Sequence, residues 1–249
     1  MPKLLIALLF VLVIGIVATV AYAAGAQRNA AVGNGAPSSQ SATSAGQATR
    51  VPADIDPGSR NRLPVVNRAT LDATGQALYD KNADDVRTGR SLAGFQGPNG
   101  IVLYSPAIAE HDLKKNDYLR FDSRLGRRVY EICVLVTARE MDHQFEWAAH
   151  EPAALKAGVE PAIVDIVKHR RATTGLARKD AVLIELGREV FARRSASSAV
   201  FAEALKLYGP QALVEAVSTM GQYANIALLL NAFDQQLAPG QQALLPVSH

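Results

Sequence analysis

From Arg62 onward, apolar side chains recur at the three-to-four-residue spacing of a helix face, and no stretch of useful length alternates as a half-buried strand would. Gly and Pro punctuate this pattern at the positions where helices end and begin. Ser105-Pro106, Pro161 and Pro210 stand where a first helical turn tolerates the missing N–H, and Gly158 and Gly209 stand where a helix can end in a left-handed residue. The pattern predicts an all-α bundle of roughly seven or eight helices joined by short loops. Expected helices cover 70–86, 105–121, 124–140, 142–157, 161–171, 180–194, 197–208 and 210–233, with a kink or restart at Pro152. "GFQGPNGIVLYSP" reads as a loop entering a short apolar segment. "VYEICVLVTA" and "NIALLLNAF" are apolar on more than one face, which favours burial on all sides and hence a homo-oligomer.

The first sixty residues follow other rules. Lys3 precedes an apolar run from Leu4 to Ala24, and Ala21-Tyr22-Ala23 offers small residues where a signal peptidase cuts. The run also suffices to span a bilayer. Residues 1–24 are therefore expected to be a signal peptide or an uncleaved membrane anchor, with the remainder exported, periplasmic or tethered in a non-cytoplasmic compartment. Residues 25–60, rich in Ala, Gly, Ser and Gln at the start, lack the apolar surface to offset their ordering entropy and read as a disordered linker. The folded domain is expected over 61–240, with 241–249 as a tail. A net charge of +3, spread along the chain and without interleaved aromatics, argues against a nucleic-acid platform.

Chemistry-bearing residues concentrate between 128 and 150. His143, Glu146 and His150 fall at i, i+3 and i+7, on one helical face. Glu131 sits within an apolar helix, where a carboxylate is costly to bury alone. It is either ion-paired with Arg127 or Arg128 or poised for proton transfer. A hairpin between the two helices would bring it against the histidines, forming an acid/base relay. Arg128 or Arg139 would hold a substrate carboxylate, and Trp147 and Tyr223 would line the pocket. The spacing also admits a metal ion, but it is not the H-E-x-x-H pattern, and the reading favours no metal and no cofactor. Cys133, the single cysteine, reads as a buried small hydrophobe, with a reactive thiol as the alternative. His111 and His169 lie among charged residues and are expected to be exposed.

The stretch "RLGRRVYEICVLVTAREMDHQFEWAAHEPAALKAGVEPAIVDIV" resembles the core of the carboxymuconolactone decarboxylase family, which includes the AhpD-like alkylhydroperoxidases; the resemblance extends over about 63–239. It implies an all-helical fold assembled as a trimer or hexamer. The peroxidase branch carries a Glu, a Cys-x-x-Cys and a His. On this chain these would fall at Glu131, at His143 and Glu146, and at His150, so the dithiol is absent. The decarboxylase branch keeps a Glu and a His four residues apart, similar to Glu146 and His150. The resemblance thus implies a cofactor-independent lyase or isomerase acting on a small, anionic organic acid or lactone. A peroxidase-type antioxidant activity and a non-catalytic tethered binding module are the alternatives.

Overall fold

The computed structural model describes residues 51–83 and 96–246. The expected leader or anchor at 4–24, the linker up to residue 50, the end of the first helix beyond Ala83 and His249 lie outside the described residues.

Among the described residues the chain is all-helical. α1 spans Ala73–Ala83, α2 Pro98–Val102, α3 Pro106–Asp117, α4 Gly126–Glu140, α5 Gln144–Lys156, α6 Pro161–Lys168, α7 Arg178–Arg193 and α8 Ser198–Ala232. "PNGIV", expected as the end of a loop, forms the short helix α2, because Pro98 supplies a preset first turn. A single π-helical turn, Tyr118–Asp122, follows α3. α5 continues through Pro152 without a restart. The loss of one backbone donor is absorbed inside a well-packed helix. At Gly209 (φ 73°, ψ 168°) the backbone leaves helical geometry, so α8 is two helices joined at a kink, as the Gly-Pro pair predicts.

α4 is the hub, packed against α5, α6, α7 and α8. Every residue from Tyr130 to Arg139 is buried. The all-round apolarity of "VYEICVLVTA" is therefore satisfied within one chain. α8 is long and apolar enough to cross a membrane by length and composition, but its kink and its buried residues Ala204, Leu213, Ala216, Met220 and Leu230 are those of a core helix. It leaves Val214 and Leu228 more than half exposed.

Helices α4, α7 and α8 meet at Gly187, where an added Cβ would lie 2.5 Å from Val136 Cγ1 and 3.2 Å from Met220 Cε. No rotamer change moves a β-branched Val136 that is 1% exposed out of the way. Gly187→Leu is expected to destabilise the fold by about 3 kcal/mol, the upper part of the overpacking range. Gly187→Ala should cost less, because helix propensity returns about 1 kcal/mol. Urea unfolding of both variants, with and without Val136→Ala, checks the contact: relief by Val136→Ala is the expected coupling, and simple additivity would contradict it.

The packing extends beyond the expected domain limits of 61 and 240. Gln235 Nε2 donates to the Ser59 and Arg60 carbonyls at 3.3 and 3.2 Å, and its Oε1 accepts from Asn61 Nδ2 at 2.9 Å and from the Gly97 N–H at 3.0 Å. One amide thus ties the segment before α1, the start of α2 and the segment after α8 together. Leu245, expected in a loose tail, is buried in the main core and exchanges two hydrogen bonds with the Gln144 side chain, at 2.8 and 2.9 Å.

Candidate active site

The connection between α4 and α5 is short. Met141 ends the first helix, Asp142 takes a left-handed conformation (φ 49°), and His143 caps the second. This tight αα-hairpin lays α5 back along α4, so Glu131 and His150, nineteen residues apart, share one buried layer. His150 Nδ1 lies 2.8 Å from Glu131 Oε2, and His150 Nε2 lies 3.6 Å from Glu146 Oε2. Arg127 Nη2 approaches Glu131 Oε1 at 2.6 Å from one turn earlier on α4. That contact is an ion pair by distance but is poorly aligned as a hydrogen bond, since Glu131 Oε1 has no hydrogen-bond partner among the described residues. Four charged or titratable groups therefore run in series, Arg127, Glu131, His150 and Glu146.

Burial grades along this series. Glu131 is fully buried and Glu146 nearly so, while the His150 side chain keeps 11% of its surface and Arg127 keeps 31%. Desolvation pushes the Glu146 carboxyl up from its ordinary range; His150 opposes this and the Glu131 charge adds to it. A carboxyl of this kind can hold a proton at a pH where exposed glutamates are ionised.

Tyr223 of α8 closes the third side. Its ring meets His150 edge-to-face at 4.9 Å between centroids, and its hydroxyl lies 2.6 Å from that of Tyr130. Tyr130 donates onward to Asn116 Oδ1 at 3.1 Å, so Tyr223 is the donor in the pair. Burial pushes both phenols up, and they remain proton-bearing. Tyr130 was not among the expected residues. Its position beside Glu131 reads as core in a sequence, and only α8 reveals its partner.

No family model matches the chain, and no curated protein matches it.

The geometry sorts the expected site residues. Glu131, Glu146, His150 and Tyr223 come together. His143 is buried beside them, but its Nδ1 accepts the Glu146 backbone N–H at 3.3 Å and serves as the N-cap of α5. Desolvation lowers its pKa to about 4, which keeps it neutral with the proton on Nε2. The other expectations need correction. Arg128 grips Asp180 with both Nη atoms, at 2.8 and 2.9 Å, and also reaches Glu160, so it fastens α4 to α6 and α7 instead of facing the cluster. Arg139 Nη1 binds Asp142 Oδ1 at 2.8 Å and the Pro246 carbonyl at 3.1 Å, two turns away from Glu131. Trp147 is wholly buried in the main core and donates to Glu151 Oε2 at 2.7 Å, so it supports α5 and does not line an opening.

The arginine that does face the cluster is Arg127, the residue before Arg128. Its guanidinium lies over the Tyr130 and Phe121 rings at 5.1 and 5.7 Å. Nη2 faces Glu131, while the buried Nη1 has no hydrogen-bond partner among the described residues. A buried guanidinium donor without a partner is costly, and an anionic group would satisfy it. Among the described residues, no three His, Cys, Asp or Glu side chains are arranged to hold a metal ion; Glu131 and His150 bind each other directly. Cys133 is fully buried in the main core, and desolvation pushes its thiol far up, which leaves the nucleophilic thiolate unpopulated. His111 and His169 are exposed, His169 beside Asp165 at 3.4 Å.

Proposed function

We propose that this protein is a cofactor-independent acid/base lyase of the carboxymuconolactone decarboxylase type, acting on a small dicarboxylate in which the leaving carboxylate stands β to a carbonyl, directly or through a conjugated C=C bond. The observation that carries this reading is the buried series Glu131–His150–Glu146 with an unsatisfied Arg127 donor at its end. Glu131 accepts from His150 Nδ1–H, fixing the tautomer in which Nε2 exchanges protons, and it stabilises the imidazolium when one forms. Arg127 Nη1 binds the substrate carboxylate that stays behind. The C–C bond to the departing carboxylate breaks, carbon dioxide leaves, and the electron pair remains on carbon, delocalised into the carbonyl. His150 Nε2–H then protonates a carbon of that delocalised system, Glu146, raised by burial, returns a proton to His150, and Glu146 regains its own from water.

The buried Cys133 thiol gives a redox reading no support. The test is to incubate the purified protein with carboxymuconolactone and with β-keto dicarboxylic acids in deuterated water. Carbon dioxide release with one deuterium placed on carbon is expected, and it should vanish in His150→Asn while peroxide consumption stays at background. Equal release from His150→Asn, or none from the wild type, would overturn the proposal.

A further inference from the structure

A cleft lies beside α8, between α2, α3 and the segment before α1. Its volume is about 490 Å³, within the range of small-molecule sites. Its wall is apolar, built by Leu63, Ile101, Leu229 and Phe233. One polar group sits deep in it. Gln222 is 4% exposed and lines the cleft, yet among the described residues no hydrogen bond reaches its side-chain amide.

The Gln222 amide atoms are not sealed from the cleft, and among the described residues no protein group pairs with them, so their hydrogen bonds are left to whatever occupies the cleft. The neighbouring Tyr223 has a partner in Tyr130, and Asn225 one turn on donates to Asp112 Oδ2 at 3.4 Å, so of these three side chains it is Gln222 that is left for an occupant of the cleft. At the rim, Asp112 and Lys115 of α3 carry opposite charges that cancel. The field therefore selects neither an anion nor a cation, and Gln222 offers one acceptor and two donors to whatever enters.

We propose that this cleft binds a neutral amphipathic molecule with a carboxamide-like head, which pairs with the Gln222 amide through reciprocal N–H···O=C bonds. An aliphatic or aromatic body of roughly six carbons would lie against Leu229 and Phe233. This site is separate from the Glu131–His150 series and does not depend on the proposed activity.

The experiment uses the full chain and hexanamide as the probe, with hexanoate and hexylammonium for comparison, followed by NMR titration. Saturable hexanamide binding tighter than that of either ion is expected. Gln222→Leu should weaken it by about tenfold or more, the loss of a buried pair of hydrogen bonds. Ile108→Glu, at an exposed rim position, keeps the fold intact and should weaken binding by obstructing the entrance. Glu131→Gln should leave hexanamide affinity unchanged. Absence of saturable binding, tighter binding of an ion, or unchanged wild-type affinity in Gln222→Leu or in Ile108→Glu would each overturn the inference.

Discussion

Replacing Glu131 by Ala is expected to destabilise the protein by about 3 kcal/mol, toward the lower end of the cost of removing one member of a buried ion pair. Glu131 is fully buried, and its two oxygens face Arg127 at 2.6 Å and His150 at 2.8 Å. Without the carboxylate, Arg127 keeps a charge under Tyr130 and Phe121 with no counter-ion in that layer, and His150 Nδ1 loses its acceptor. Arg127 retains 31% of its side-chain surface and can turn partly toward water, which limits the damage. Glu131→Gln should cost less, since an amide oxygen still accepts from Nδ1. The combined variant Glu131→Leu with Arg127→Met should regain much of the loss, because a matched apolar pair strands no charge. Urea unfolding at neutral pH measures all three. A loss below about 1 kcal/mol in Glu131→Ala would show that this ion pair does not hold the layer together.

The second large effect is an acid sensitivity that originates in His143. Burial lowers its pKa from 6.5 to about 4 in the folded protein. Between these values the unfolded chain binds a proton that the folded chain refuses. Stability is therefore full above pH 6.5 and falls as pH drops toward 4, by about 3 kcal/mol in total if the unfolded value is ordinary. Glu146 works in the opposite sense. Its raised pKa means the folded state holds a proton more readily than the unfolded one, so its own burden is relieved on acidification. His143→Asn separates the two. Asn keeps an acceptor for the Glu146 backbone N–H and still caps α5, but it has nothing to titrate. Unfolding curves at pH 7 and pH 4.5 should converge for His143→Asn and diverge for the wild type. Parallel behaviour of the two proteins would place the acid sensitivity elsewhere.

Most helix boundaries could be read from local chemistry. Ser105-Pro106, Pro161, Gly158 and Gly209-Pro210 are punctuation that acts over a few bonds, and each sits at an observed start, end or kink. The cap of α5 could not be read that way. Asp142 is the better capping residue by type, but Arg139 and Arg170 both claim its carboxylate. Arg170 follows α6 in the chain, far from α5. His143 takes the cap by default. The choice between Arg127 and Arg128 was equally invisible. The two residues are adjacent and differ by about 100° around α4. Asp180 and Glu160, supplied by α7 and the approach to α6, take Arg128 and leave Arg127 to Glu131.

The sequence by itself determined that this chain is helical and placed Glu131 in an apolar helix and His150 on the face of the next. Those are consequences of a period of 3.6 residues and of Gly and Pro stereochemistry, which need no distant contact. Tertiary structure alone decided the partners. Tyr223 arrives from more than seventy residues away to cover His150, Arg127 is left facing Glu131, and burial raises Glu146 while lowering His143. The strength of a charge or a hydrogen bond depends on how much water remains around it. That quantity exists only once the helices are packed.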